Sequence, residues 1–75
     1  MRLYYDTKES GRRIKEAREK KGYTQAQLSV LVGVEENSIA RIECGVKGTS
    51  IDRIMLISEA LDESIDYLLT GRMKN

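Results

Sequence analysis

Two segments with helical periodicity are joined by only three residues, Gly33-Val34-Glu35. The first segment begins at Thr24, which opens a Thr-x-x-Gln capping box, and the second covers residues 36–44. The link is too short for two antiparallel helices to lie flat against each other. We therefore expect the two helices to meet at a steep angle, with Val34 buried between them.

Cap and stop signals predict three further helices. The first helix begins near Asp6 or Thr7, at an Asp-x-x-Glu sequence that is similar to a capping box, and ends at Gly22. Ser50 and Ser64 are the predicted caps of the fourth and fifth helices. The absence of proline and the presence of six glycines in 75 residues also favour a compact helical domain. We expect one all-α domain of five helices over residues 1–75, with a frayed polar tail at 72–75.

Apolar residues at helical spacing predict the inward face of each helix. In chain order these positions are Gly11, Ile14, Ala17 and Arg18; Leu28, Leu31 and Val32; Ile39 and Ile42; Ile51, Ile54, Ile57, Ser58 and Leu61; and Ile65, Leu68 and Leu69. The face of the first helix has little apolar area, so Leu3 and Tyr4 or Tyr5 are expected to fold back onto it. Ser29 and Ser58 are expected to donate their hydroxyls to the carbonyl four residues earlier.

Composition argues against several functional classes. There is no histidine, the commonest general base and metal ligand, and the single cysteine, Cys44, cannot form an intrachain disulfide or a thiolate metal site alone. We expect no enzyme, no cofactor and no metal, and we interpret Cys44 as an ordinary thiol. No apolar run approaches the roughly 20 residues of a membrane span, and the N-terminus lacks the apolar segment of a signal peptide. The expected location is a reducing cytoplasm, in association with the nucleoid if the chain binds DNA.

Charge is unevenly distributed along the chain. Residues 1–24 contain eight basic and four acidic residues, a net charge of +4, whereas the remainder contains five basic and eight acidic residues, a net charge of −3. The basic segment favours a polyanionic partner. A solvated helix face with mixed charges is the alternative interpretation.

Several short motifs occur in a fixed order between residues 8 and 71. They are Gly11-x-x-Ile14-x-x-x-Arg18, Thr24-Gln25-x-x-Leu28, Gly33-Val34, Ser38-Ile39, Arg41-Ile42-Glu43, Gly45, Ser50-Ile51, Ala60-Leu61 and Ser64-x-Asp66-Tyr67-Leu68-Leu69-x-Gly71. In this order and spacing the chain resembles the Cro/repressor, or xenobiotic-response-element, type of helix-turn-helix domain. The resemblance implies a compact five-helix domain of the lambda-repressor-like type, with the helix-turn-helix at about 24–44. It also implies a bacterial or phage transcriptional regulator that binds double-stranded DNA.

The resemblance places base reading on the outward face of the third helix, opposite the inward isoleucines. The four positions are Glu36, Asn37, Ala40 and Arg41. Their chemistry suits base edges: arginine bridges guanine O6 and N7, asparagine bridges adenine N6 and N7, glutamate accepts from cytosine N4, and alanine touches a thymine methyl. The alternative for each position is an ordinary exposed helix residue.

Two segments are expected to contact phosphate. The resemblance places a backbone-binding glutamine at Gln25, where unpaired helix amides and the helix dipole favour an anion while Thr24 caps the helix. The loop 46–50 is similar to the second phosphate-binding stretch of the family and offers Lys47, amides near Gly48, and the hydroxyls of Thr49 and the serine that follows it. This loop departs from the family, which usually has a proline near Thr49 and more than one basic residue.

Two glutamates lie at the start of the third helix, the helix that the resemblance places against DNA. Glu35 and Glu36 begin the third helix, where acidic side chains interact favourably with the helix dipole. Glu36 also has a second interpretation, in which a carboxylate in the groove rejects wrong bases and weakens non-specific binding. A third possibility is that this surface binds a protein. Arg18 and Glu43 match positions that pair in the family, and we interpret them as an architectural ion pair.

The expected assembly is a repressor homodimer on a pseudo-palindromic operator. Its regulation is expected to depend on concentration, degradation or a regulatory protein partner. The proposed dimer residues are Leu61, Ile65, Tyr67, Leu68 and Leu69, because they exceed what a short last helix needs for its own packing. The runner-up hypothesis is a protein-interaction module on the same fold, of the antitoxin or anti-repressor type.

Overall fold

The computed structural model describes residues 5–72, which contain five α-helices and no strand within that range. The helices are α1 (Thr7–Lys21), α2 (Gln25–Val32), α3 (Glu36–Cys44), α4 (Ile51–Leu61) and α5 (Ile65–Thr70). The prediction of a five-helix, all-α fold is therefore confirmed. Leu3, Tyr4 and the tail residues 73–75 lie outside the described residues, whereas Tyr5 is exposed.

Side-chain caps determine where four of the helices begin. Asp6 accepts hydrogen bonds from two amides of the first turn of α1, and Thr24 and Gln27 form the predicted reciprocal capping box of α2. Ser50 and Ser64 cap α4 and α5. Each cap satisfies amides that lack a partner within the helix, so the short polar side chains fix the start of each helix.

The core is aliphatic and draws on all five helices. Its members are Ile14, Ala17, Leu28, Val32, Ile39, Ile42, Ile54, Ile57, Leu61 and Leu68. Val34, expected to be buried between α2 and α3, is half-buried and packs against this core. Within residues 5–72, no helix combines the length and the apolar character that crossing a membrane requires.

Two of the predicted inward positions are wrong. Leu31 is 56% exposed and Ile51 is 70% exposed. The buried residues of α2 are Leu28, Ser29 and Val32, and position 31 lies about 100° around the helix from the centre of that set. Three residues turn an α-helix by about 300°, which falls about 60° short of a full turn. Ile51 is two such steps from the fully buried Ile57 and therefore lies about 120° away from it around the helix.

Three local hydrogen bonds also differ from expectation. The Ser29 hydroxyl donates to the carbonyl of Ala26 at 2.7 Å, and Ser58 does the same three residues back, rather than four. Glu9 accepts from Arg12 at 2.7 Å within α1. The Glu9 carboxylate therefore binds Arg12 and not the amide of Asp6. The cap of α1 consists only of the bonds that Asp6 accepts, whereas α2 has both halves of a capping box.

Helix α3 is held from behind by α1 and α2. Helix α1 approaches α3 closely at Gly11, where an added Cβ would lie 2.3 Å from the carbonyl oxygen of Ile42. A second close approach occurs where an added Cβ on Gly45 would lie 2.7 Å from Cα of Lys8. With its back fixed by these contacts, α3 presents its opposite face to solvent.

Candidate nucleic-acid interface

The outward face of α3 carries the four predicted base-reading residues. Ile39 and Ile42 are buried on the inner side of the helix. On the outer side Glu36, Asn37 and Arg41 are exposed and Ala40 is half-buried. The structure thus brings all four side chains to one accessible face, and their role in reading bases stays a prediction.

The start of α3 has an unusual cap. Glu35 occupies the cap position with extended backbone (φ −61°, ψ 143°), yet its carboxylate accepts no amide hydrogen bond from the described helix. Glu36 lies in the first turn, and both side chains are exposed. Glu35 therefore does not replace the hydrogen bond of a serine or threonine cap. The role left for its carboxylate at the helix terminus is a favourable interaction with the helix dipole.

Gln25 begins α2 and is tied to the end of α3. Its amide nitrogen donates to Oε1 of Glu43 at 2.9 Å, a contact between residues 18 positions apart that sequence reasoning missed. A glutamine amide has two N–H donors. Gln25 can therefore keep this bond and still offer its second N–H to a phosphate, next to the cap formed by Thr24.

A buried ion pair lies beneath Gln25. The Arg18 guanidinium donates to Glu43 through Nε at 2.7 Å and Nη2 at 3.1 Å, and its Nη1 donates to the carbonyl of Tyr23 at 2.7 Å. The side chains of Arg18 and Glu43 are only 9% and 2% exposed. The hydrogen bonds that Arg18 donates to Glu43 raise the pKa of Arg18 above its ordinary value, against the effect of burial. The predicted architectural pair is present, and it joins α1, the α1–α2 turn and α3.

The loop after α3 is anchored to the start of α1. The Thr7 hydroxyl donates to the carbonyl of Gly45 at 3.1 Å, and an added Cβ on Gly48 would lie 2.8 Å from the Tyr5 hydroxyl. Lys47 and Thr49 are both half-buried in this loop. The closeness of Tyr5 was not predicted, because no local pattern connects positions 43 residues apart.

The predicted dimer residues divide into two groups. Leu61 and Leu68 are 2% and 0% exposed in this chain's own core, so their side chains have no surface left for a second chain, and their assignment to a dimer interface is corrected. Ile65, Tyr67 and Leu69 are half-buried and pack against that core. These three keep some exposed surface, and their place in an interface stays a prediction.

Comparison with known proteins agrees with this architecture. A family model described as Helix-turn-helix matches residues 14–68. The P22 c2 repressor, solved in complex with a synthetic operator, is 35% identical with a TM-score of 0.83, covering 88% of this chain and all of that chain. SinR of Bacillus subtilis, solved in complex with DNA, is 33% identical with a TM-score of 0.75, covering 79% of this chain and 95% of that chain.

A curated relative gives the same family. The HTH-type transcriptional regulator ImmR of Bacillus subtilis (strain 168) is 34% identical over 59 residues, which are 79% of this chain and 46% of ImmR. The chain spans about half the length of the first curated relatives that it matches. The family match and the five-helix fold show that the chain belongs to the helix-turn-helix family of DNA-binding transcriptional regulators.

Proposed function

We propose that this chain is a sequence-specific repressor that inserts α3 into the major groove of its operator. The observation that carries the proposal is the outward face of α3, where Glu36, Asn37 and Arg41 are exposed while Ile39 and Ile42 hold the helix from behind. These side chains can distinguish base pairs by their hydrogen-bonding groups. The operator complex of the P22 c2 repressor and the DNA complex of SinR support this use of the fold.

Phosphate contacts would flank α3 on both sides. On one side the N-terminus of α2 offers unpaired amides and the second N–H of Gln25, next to Thr24. On the other side the loop after α3 offers Lys47, and Thr49 would exchange its 3.3 Å hydrogen bond to the carbonyl of Ser50 for one to phosphate. Contacts of this kind fix the orientation of the domain on the duplex but carry no base information.

The active form would be a homodimer, at least on DNA. A single helix-turn-helix reads few base pairs, and two-fold pairing doubles the contacts. The half-sites of a pseudo-palindromic operator should then lie ~34 Å apart, about one turn of DNA. Ile65, Tyr67 and Leu69 are the residues that we assign to the pairing surface, because they are apolar and keep exposed area.

Replacing Arg41 by alanine should weaken binding to the preferred site by about 1–3 kcal/mol and relax the choice at one base pair. Replacing Lys47 by alanine should instead weaken binding to all duplexes alike. It should also reduce the steepness of the plot of log affinity against log salt concentration by about 1. Titration of operator and random duplex at several salt concentrations measures both. Identical sequence-dependence profiles for the two variants would show that the division into base and phosphate contacts is wrong.

Replacing Glu36 by glutamine should tighten binding to random duplex and reduce discrimination, because a repulsion beside the phosphates is removed while the side-chain shape is kept. Glu35→Gln is the matched control: it should leave specificity nearly unchanged and lower thermal stability slightly through the lost dipole interaction. Both effects should decrease at high salt, which screens exposed charges. Unchanged affinities of Glu36→Gln for both duplexes would place that side chain away from DNA.

A protein-interaction module is the second candidate function. The exposed pair Glu35 and Glu36 favours it, since two carboxylates approach a basic protein more readily than a polyanion. SinR is also known in a complex with SinI protein, so a related fold takes a protein partner. Weak retention of the wild type on any duplex at low salt, together with equal duplex affinities of the wild type and Arg41→Ala, would favour this candidate.

A further inference from the structure

Tyr5 lies beside the loop 46–50, although it precedes α1 in the chain. An added Cβ on Gly48 would lie 2.8 Å from the Tyr5 hydroxyl and 3.7 Å from Cε2 of its ring. Gly48 is not among the described glycines with positive φ, so the tyrosine hydroxyl, and not the backbone, limits the space at this position. The end of the Tyr5 side chain therefore reaches the middle of a loop that is expected to contact phosphate.

Two contacts fix the chain that follows Tyr5. The Asp6 carboxylate accepts hydrogen bonds from two amides of the first turn of α1, where the helix dipole stabilises its negative charge. The Thr7 hydroxyl donates to the carbonyl of Gly45 at 3.1 Å and ties the start of α1 to the end of α3. These contacts hold Tyr5 next to the loop, while 48% of its surface stays exposed.

The Tyr5 hydroxyl and the Gly48 amide are uncharged hydrogen-bond donors that lie close together. Neither donates to an acceptor within residues 5–72. Lys47, which precedes Gly48, is the only charged residue of the loop 46–50. Lysine and tyrosine side chains and backbone amides all bind the phosphates of DNA. The start of α1 and the loop can therefore offer an anion one cation and two uncharged donors.

We propose that the Tyr5 hydroxyl donates a hydrogen bond to the DNA phosphate that Lys47 and the Gly48 amide contact. This inference rests on the proposed function and adds to it a contact from outside the helix-turn-helix. Tyr5 is then a positioning residue, because a phosphate contact fixes the orientation of the domain and carries no base information. An uncharged donor neutralises no phosphate and releases no counterion, so this contact should be distinguishable from that of Lys47 by its salt dependence.

The test is Tyr5→Phe, which removes the hydroxyl and keeps the ring. This variant should bind both a duplex selected from a random library and random duplex about three- to tenfold more weakly, as expected for one hydrogen bond. The slope of log affinity against log salt concentration should stay that of the wild type, whereas Lys47→Ala should reduce its steepness by about 1. The melting temperature should not change, because the hydroxyl has no acceptor among the residues that the structure describes.

A series of duplexes, each with one phosphate replaced by neutral methylphosphonate, locates the contact. Replacement of the contacted phosphate should weaken the wild type. On that duplex Tyr5→Phe should bind within about twofold of the wild type, since the acceptor that the hydroxyl needs has been altered. Lys47→Ala should lose its effect on the same duplex and at no other position.

The outcomes separate this proposal from the proposed function. If Lys47→Ala weakens binding and Tyr5→Phe binds as tightly as the wild type, the Tyr5 contact alone is overturned. If the wild type binds no duplex, the proposed function is overturned with it. A lower melting temperature of Tyr5→Phe without a phosphate-specific loss, or a sensitive phosphate that differs from that of Lys47→Ala, would also overturn the Tyr5 contact.

Discussion

Replacing Gly11 by alanine is expected to destabilise the domain by about 3 kcal/mol or more, at the upper end of the cost of overpacking. The new Cβ would lie 2.3 Å from the carbonyl oxygen of Ile42 and 2.6 Å from that of Glu43, and both atoms belong to the backbone of α3. Alanine is the better helix former by about 1 kcal/mol, so the clash must exceed that gain. Because backbone atoms cannot rotate away, α1 and α3 must separate.

The control for this prediction is Gly22→Ala. Gly22 ends α1 with φ +83°, and an added Cβ there meets nothing within 4 Å. Its cost should be limited to left-handed backbone strain, about 1–2 kcal/mol. Urea denaturation of both variants measures the difference. If Gly11→Ala is no less stable than Gly22→Ala, the close approach of α1 to α3 is not as described.

Replacing Glu43 by alanine is expected to cost about 3–5 kcal/mol of folding stability, because the Arg18 guanidinium then remains buried without its carboxylate. Two contacts of this guanidinium would remain, the hydrogen bond to the carbonyl of Tyr23 and a 3.9 Å ion pair with the exposed Glu19. Gln25 would lose its partner at the same time. Thermal and urea denaturation measure the loss.

A double variant separates the charge from the packing. Arg18→Met combined with Glu43→Leu removes both charges and keeps apolar volume, and such replacements are often neutral or stabilising. The double variant should therefore be more stable than Glu43→Ala. If it is no more stable, the cost of Glu43→Ala arises from lost packing rather than from the unpaired arginine.

The ends of the helices could be predicted because the signals are local. The Thr24 capping box and the serine caps Ser50 and Ser64 bind amides within three residues of themselves, so nearby sequence contains the whole interaction. The predicted third helix, residues 36–44 with Gly45 as its stop, matches α3.

The direction of a side chain was less predictable at the edges of the inward faces. Leu31 and Ile51 are apolar and occur at helical spacing, yet both are exposed. Periodicity fixes positions relative to one another, whereas the centre of the buried face depends on where neighbouring helices pack. In α2 the buried face extends from Leu28 and Val32 towards Ser29, on the side opposite to Leu31.

Contacts between distant residues of the candidate site were partly predictable. The Arg18–Glu43 pair followed from family resemblance, since no spacing rule connects residues 25 positions apart. The bond from Gln25 to Glu43 and the position of Tyr5 beside Gly48 were missed for the same reason. The outward face of α3 was predictable because it is the complement of Ile39 and Ile42 on a single short helix.

Selection of bound sites from a random duplex library, with the wild type and Arg41→Ala in parallel, tests most directly whether α3 reads sequence. We expect one enriched pseudo-palindrome with half-sites ~34 Å apart. We also expect Arg41→Ala to lose the preference at one base pair of each half-site while the rest of the motif persists. Failure of the wild type to enrich any sequence, or an enriched motif that Arg41→Ala leaves unchanged, would show that α3 does not read bases as proposed.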